Sequence, residues 1–261
     1  MSPTDMFNLD RKVVMIPGGG GGIGSALAVG VAEAGAKVAI IGRNGDSLER
    51  TSSRIRETGS EPLAIVADLT TKDDADRAVE ETVSHFDRLD VIINAVGGGA
   101  GKVLFDAQDY PIPEWDWIMD LNVTSTVLPT QAAVRAMISQ GDGGRVINIS
   151  SVRAELGINA GYSAYVAAKG AISSLTRQWA TEWAKHGITV NAIAPTFVDT
   201  PQVAMLLEDP DFKAGVVGRI PIGRVGETSD LIGPVLLFAS DASSFVTGQI
   251  LGVDGGLTAT Q

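Results

Sequence analysis

The sequence predicts an α/β fold: one doubly wound parallel sheet of about seven strands, forming a single domain over residues 1–261. Three observations predict it. Short β-branched runs alternate with amphipathic stretches along the whole chain, the pattern of repeated βαβ units. The runs are apolar throughout, as strands covered by helices on both faces must be. The first run passes through a block of five glycines straight into a helix.

The elements follow in order. Residues 13–16 read as a buried strand, 23–34 as a helix stopped by Gly35, and 38–41 as a second strand. Strands three to seven fall at 63–67, 91–93, 145–149, 188–193 and 250–253. Ala75, Val79, Val83 and Phe86 share one face of a helix. Residues 114–139 and 164–185 read as two long helices, and a further helix lies near 229–239. Three helices are expected on each face of the sheet. Residues 200–219 are polar and irregular, interrupted by Pro201, Pro210 and Gly215, and are read as a substrate lid.

Composition narrows the function. Twenty basic residues stand against 31 acidic ones, a net charge of −11. Phosphate neutralisation needs clustered Lys and Arg, so nucleic acid is disfavoured as a partner, and so is an anionic membrane surface. The chain has no cysteine, which excludes disulfide scaffolds, thiolate zinc sites and cysteine nucleophiles. No metal site is expected, and the expected location is cytoplasmic. Residues 13–32 are uncharged, but seven glycines and Pro17 make them a poor membrane span.

The glycine block carries the first chemistry. Gly18, Gly21, Gly22, Ile23 and Gly24 lie between a strand and a helix. Glycines there let backbone N–H groups approach a pyrophosphate at the helix N-terminus. No GK[ST] follows, which argues against a P-loop nucleotidase. The end of strand two reads Gly42-Arg43. An acid near this point would hold the ribose hydroxyls of NAD. Gly42 supplies none, and Arg43 offers a guanidinium for a 2′-phosphate, so NADP is expected as cofactor, with NAD as the alternative.

The second chemistry is a tyrosine, a lysine and a serine. Tyr165 and Lys169 are four apart, on one helix face. A free phenol has a pKa of about 10, and a nearby cation favours its ionised form. Such a pair can pass a proton to or from a substrate oxygen. Strand five ends in Ser150-Ser151, at the edge where parallel sheets open on a ligand crevice. A serine hydroxyl there can hydrogen-bond a developing charge. Ser151 is preferred, with Ser150 as the fallback. Arg153 and Glu155 either border the substrate or form an exposed pair. His85 and His186 are read as structural, and Trp179 and Trp183 as core or subunit interface.

These blocks, taken in order, resemble the short-chain dehydrogenase/reductase superfamily over almost the whole chain. They are PGGGGGIG, Asp68-Leu69, Asn94-Ala95-Val96-Gly97, Asn122-Val123, Ser151, Tyr165-xxx-Lys169, Asn191 to Pro195, and Val253-Asp254-Gly255-Gly256. The family's leading Thr is Pro17 here, its NNAG is Asn94-Ala95-Val96-Gly97, and its proline-glycine after strand six is Pro195-Thr196. The resemblance implies a Rossmann fold, a homotetramer and oxidoreduction between a secondary alcohol and a ketone. It implies Tyr165 as acid/base and Ser151 as the group that polarises the substrate oxygen. It implies Lys169 on the nicotinamide ribose, lowering the tyrosine pKa, and Asn122 holding a helix kink and a relay water. Asp68, Leu69, Asn94, Ala95, Gly97, Pro195, Val198 and Thr200 are carried over as further cofactor residues. A sugar, polyol or sugar acid is the expected substrate. The alternatives are a 3-oxoacyl-carrier-protein reductase, a cyclic-alcohol or steroid dehydrogenase, and a non-catalytic dinucleotide-binding regulator.

Overall fold

The structure, a computed structural model, describes residues 5–99, 101, 103–201 and 203–260. Seven strands form one parallel sheet: β1 (Val13–Pro17), β2 (Lys37–Gly42), β3 (Leu63–Val66), β4 (Val91–Asn94), β5 (Gly144–Ile149), β6 (Ile188–Pro195) and β7 (Ile250–Val253). Their spatial order is β3-β2-β1-β4-β5-β6-β7. Every neighbouring pair is parallel. Strand order reverses between β1 and β4, and ligands of such sheets bind outside the carboxyl ends of the strands at that switch point.

Side-chain alternation divides each strand between two helix layers. Val14, Ile16, Val38, Ile40 and Ile93 belong to one core with α1 (Gly22–Glu33), α2 (Gly45–Glu57) and α9 (Ile232–Ala239). Val13, Met15, Ala39, Ile41 and Ile92 belong to the other, with α3 (Lys72–Phe86), α5 (Ser125–Gln140) and α6 (Ser163–Trp183). Three helices therefore cover each face, as expected. Burying one such side chain fully is worth about 1.5–3 kcal/mol, so the doubly covered strands anchor the fold. Helix starts are capped in sequence. Asn44 Oδ1 accepts from Ser47 N at 2.9 Å ahead of α2, and the Thr71 hydroxyl from Asp74 N at 3.4 Å ahead of α3.

Three elements differ from the sequence reading. The long helix expected over 114–139 is divided. It consists of α4 (Ile112–Met119), a π-helical turn at Asp120–Thr124, and α5. Pro129 has no N–H to give to the turn before it. Ser125, Thr126 and Thr130 bond carbonyls four residues back at 2.6, 2.8 and 2.6 Å. Apolar periodicity runs through such a turn without a break, so it leaves no trace in the pattern.

The segment over 200–219 is not irregular. It holds α7 (Ala204–Leu207) and α8 (Pro210–Val217). Pro210 opens α8, where its missing N–H costs nothing, and Asp209 caps it by accepting from Asp211 N and Phe212 N at 2.9 and 3.2 Å. Gln202 of this segment, and Ala100 of the glycine loop over 97–101, lie outside the described residues. The helix expected at 229–239 starts as a 3₁₀ turn, Thr228–Leu231, before α9. Among the described residues no helix is long and apolar enough to cross a membrane.

Candidate active site

The glycine block folds into a tight cradle between β1 and α1. Gly18 N donates to Ile41 O at 2.8 Å, tying the loop to β2. Gly18 has φ +82°, and a Cβ there would lie 2.6 Å from the Ala95 carbonyl group. A Cβ on Gly24 would lie 2.1 Å from Gly18 O. Both positions require glycine: one for its left-handed backbone, both because backbone approaches backbone. The first turn of α1 starts at Gly22-Ile23, so its free N–H groups point into the cradle.

At the carboxyl ends of β5 and β6 the polar side chains converge. The Ser151 hydroxyl, which accepts from Arg153 N at 3.1 Å, acts on the Tyr165 phenol and lowers its pKa. Ser150 is turned away: its hydroxyl meets Ser173 Oγ at 2.8 Å and Lys169 O at 3.3 Å. The geometry therefore separates the two serines, and Ser151 is the one on the phenol. Burial pushes the Tyr165 pKa up, while the Ser151 hydroxyl and the Arg153 charge pull the other way. Lys169 is 4% exposed, and burial lowers its pKa to about 8. Its Nζ donates to Ile149 O at 2.9 Å and lies 5.7 Å from the Tyr165 ring centroid. The Arg153 charge also acts on the phenol.

Asn122 sits in the π turn with no solvent exposure. Its Nδ2 donates to Ile118 O at 2.9 Å and Gly98 O at 3.1 Å, and its Oδ1 accepts from Gly98 N at 3.0 Å. A Cβ on Gly97 would lie 2.7 Å from Asn122 Oδ1 and 3.1 Å from Lys169 Nζ. Gly97 is thus the floor on which Asn122 and Lys169 meet, and its φ of +142° suits glycine. An amide and an ammonium beside a phenol and a hydroxyl can hold a reacting oxygen and move a proton to it.

A family model described as enoyl-(acyl carrier protein) reductase matches residues 19–258. The gluconate 5-dehydrogenase of Gluconobacter oxydans is 36% identical over 262 residues, 99% of each chain. The 2-dehydro-3-deoxy-D-gluconate 5-dehydrogenase of Escherichia coli is 36% identical over 250 residues, 96% of each chain. A solved gluconate 5-dehydrogenase from Burkholderia cenocepacia, in complex with NADP and tartrate, superposes with a TM-score of 0.91. It is 34% identical, and all of each chain is covered. The chain belongs to the short-chain dehydrogenase/reductase superfamily. It is an oxidoreductase of that group.

The remaining family positions fall on both sides of the cradle of this dehydrogenase/reductase. Arg43 is exposed at the end of β2 and makes no hydrogen bond or ion pair among the described residues. A Cβ on the neighbouring Gly42 would meet Leu48 at an ordinary 3.6 Å, so the backbone does not demand glycine there. Asp68 is half-buried, and its Oδ1 accepts from Thr70 N and Thr70 Oγ1 at 3.1 and 2.8 Å. Leu69 is buried beside it. Ala95 N donates to Pro17 O at 2.9 Å. Pro195 O lies 3.5 Å from Ser151 Oγ. Val198 is buried and bridges to Gly226, and Thr200 is buried against Gly22.

Asn94 sits differently from its neighbours. Its Nδ2 donates to Thr130 Oγ1 and Asn148 Oδ1 at 2.8 and 2.9 Å. Asn148 Nδ2 continues to Thr176 Oγ1 at 2.9 Å. The Asn94 side chain is thus committed to an interior polar row between β4, β5 and two helices. This row binds the layers behind the crevice, and isolated asparagines in apolar strands are its only trace in the sequence.

Arg153 is the residue the sequence left open between two environments. It is 8% exposed, so the exposed-pair reading is wrong for it, and it makes no ion pair with Glu155 or any other described acid. Its Nη1 donates to Gly157 O at 3.0 Å, and its backbone N donates to Ser151 Oγ at 3.1 Å.

Proposed function

We propose that this protein interconverts a secondary hydroxyl and a ketone on a sugar acid, using NADP(H). The observation that carries the reading is the grouping of Ser151, Tyr165 and buried Lys169, whose Nζ lies 5.7 Å from the Tyr165 ring centroid, at the sheet edge onto which the glycine cradle opens. The names of the relatives support the substrate class, and the NADP held by the Burkholderia enzyme supports the cofactor.

Tyr165 acts as the general acid/base at the reacting oxygen. Burial keeps its phenol protonated near neutrality, ready to donate when a ketone is reduced. Ser151 hydrogen-bonds the same oxygen and the charge it develops. Asn122 holds the π turn and a relay water, and Lys169 binds the cofactor ribose. The cradle fits a dinucleotide: Gly18 and Gly24 leave no room for side chains, and the α1 N-terminus faces the opening. Gly18, Gly21, Gly22, Ile23 and Gly24 would hold the pyrophosphate. Arg43 would hold the 2′-phosphate, and Asp68, Leu69, Ala95, Gly97, Pro195, Val198 and Thr200 would line the rest, with Asn94 contributing through its backbone. When bound, the nicotinamide supplies or accepts the hydride.

The same reading makes 200–219 a lid, places the protein in the cytoplasm and assembles it as a homotetramer. Light scattering at micromolar concentration tests the assembly, and a mass of 27.1 kDa would refute it. The function is tested by following NADPH absorbance with D-gluconate, 5-keto-D-gluconate, neutral polyols, cyclic alcohols and 3-oxoacyl thioesters, each with both cofactors. The reading expects the sugar acids to give the highest kcat/KM. Thioesters or cyclic alcohols outperforming them would overturn it.

A further inference from the structure

Arg153 leaves the 3₁₀ turn Val152–Ala154, two residues past Ser151. Its side chain is more than nine-tenths buried, and among the described residues its guanidinium has one hydrogen-bond partner, a neutral carbonyl, Gly157 O. An arginine has five N–H donors in a planar fork, so most of this fork is unspent. Its charge acts on the phenols of Tyr162 and Tyr165 and is opposed by that of Arg219. Arg219 follows α8 at the end of the segment over 200–219, and among the described residues its only side-chain hydrogen bond is Nε to Gly215 O at 3.3 Å.

Arg153 is thus a buried guanidinium two residues past Ser151, its charge felt by Tyr165 and by Arg219, and neither arginine forms an ion pair with a described acid. The chain holds 31 acids against 20 bases, so acids were plentiful. Like charges in a partly buried place repel, and a buried cation without an anion is costly. An anionic ligand at Arg153 would offset both costs. The cofactor's phosphates do not fill that role, because their cradle is on β1 and α1, whereas Arg153 is on the connection from β5 to α6.

We propose that Arg153 and Arg219 form a carboxylate-binding fork that holds the acid end of the substrate while Tyr165 works on its hydroxyl or ketone carbon; this rests on the sugar-acid reading above. Arginine suits the task because its fork matches a carboxylate with two parallel bonds. The local positive patch also offsets the repulsion that a net charge of −11 exerts on an anionic substrate. Because Arg219 belongs to the proposed lid, an acid in the fork would draw that segment toward Tyr165. Arg153 is then a specificity residue, and a neutral polyol would lose this contact.

The test is calorimetric titration of the NADP complex of wild type, Arg153→Gln and Arg219→Gln. Two matched pairs are used: D-gluconate with sorbitol, and 3-hydroxybutyrate with 2-butanol. A charged hydrogen bond is worth about 1.5–3 kcal/mol, so Arg153→Gln should cut the acid-over-neutral preference roughly 10- to 150-fold. Arg219→Gln, at an exposed site and so without consequence for folding, should cut it severalfold. A preference unchanged in both variants overturns the fork, as does a wild type that binds neither acid. Inorganic phosphate binding as tightly as the acids overturns its selectivity. A loss shared equally by acid and neutral ligand, with a shifted pH–rate profile, would mean that Arg153 acts only through the phenol, and it also overturns the proposal. If only the hydroxybutyrate pair responds, the fork stands and the sugar-acid reading falls.

Discussion

Thr200 stands against Gly22: a Cβ on the glycine would lie 2.9 Å from Thr200 Cβ and 3.1 Å from Pro201 Cδ. The segment leaving β6 therefore rests on the first turn of the phosphate-cradle helix. Gly22→Ala would overpack this contact, at a cost of about 1–3 kcal/mol. The expected outcome is weaker NADPH binding by fluorescence titration, with faster hydrogen exchange over 203–219. An unchanged dissociation constant together with unchanged exchange would show that the two segments are not coupled.

Lys169 gives a stability signature. Its pKa is about 8 in the fold, with burial as the cause, against an ordinary 10.5. Below pH 8 both states carry the charge, and the folded one holds it desolvated, a penalty of about 3 kcal/mol. The Nζ bond to Ile149 O offsets part of this. Between pH 8 and 10.5 the unfolded state binds more protons, so this group makes stability rise with pH. Lys169→Met removes the titration. Urea unfolding should show wild type gaining on the variant by up to about 3 kcal/mol across that window. A difference that is flat with pH contradicts the buried-charge account.

Arg43 is expected to set the cofactor preference. Arg43→Ala should lower the NADP-over-NAD ratio of kcat/KM by roughly 10- to 150-fold, the worth of a hydrogen bond to a charged group. The substitution is at an exposed residue without partners among the described residues, so folding is not at stake. A wild type that prefers NAD, or a ratio unmoved by the substitution, removes Arg43 from the site.

The fold was legible because its signals are local and repeated. Apolar strands such as β1 and amphipathic helices such as α3 each declare themselves within a few residues, and parallel order follows from their alternation. The glycine block, Tyr165 and Lys169 were legible because each is a spacing. The rest depended on distant packing. Nothing local distinguishes Ser150 from Ser151, and only α6 packing against β5 turns the first to Ser173. The π turn at Asn122 hides within uninterrupted periodicity. Pro210 reads as a breaker until its place at the first position of α8 is known. Arg153 looks like a loop charge in sequence, and its burial follows from how the β5–α6 connection folds back on α6.

The most direct measurement is turnover by Tyr165→Phe beside its NADPH affinity, with wild type and variant assayed on the best substrate of the panel. The account assigns the phenol to proton transfer and the cradle to cofactor binding, so the two properties should separate. General acid/base catalysis is worth roughly 10²–10⁴, and kcat should fall at least that far, while the NADPH dissociation constant stays within about threefold. A kcat within about tenfold of wild type would contradict the assignment of Tyr165 as the acid/base.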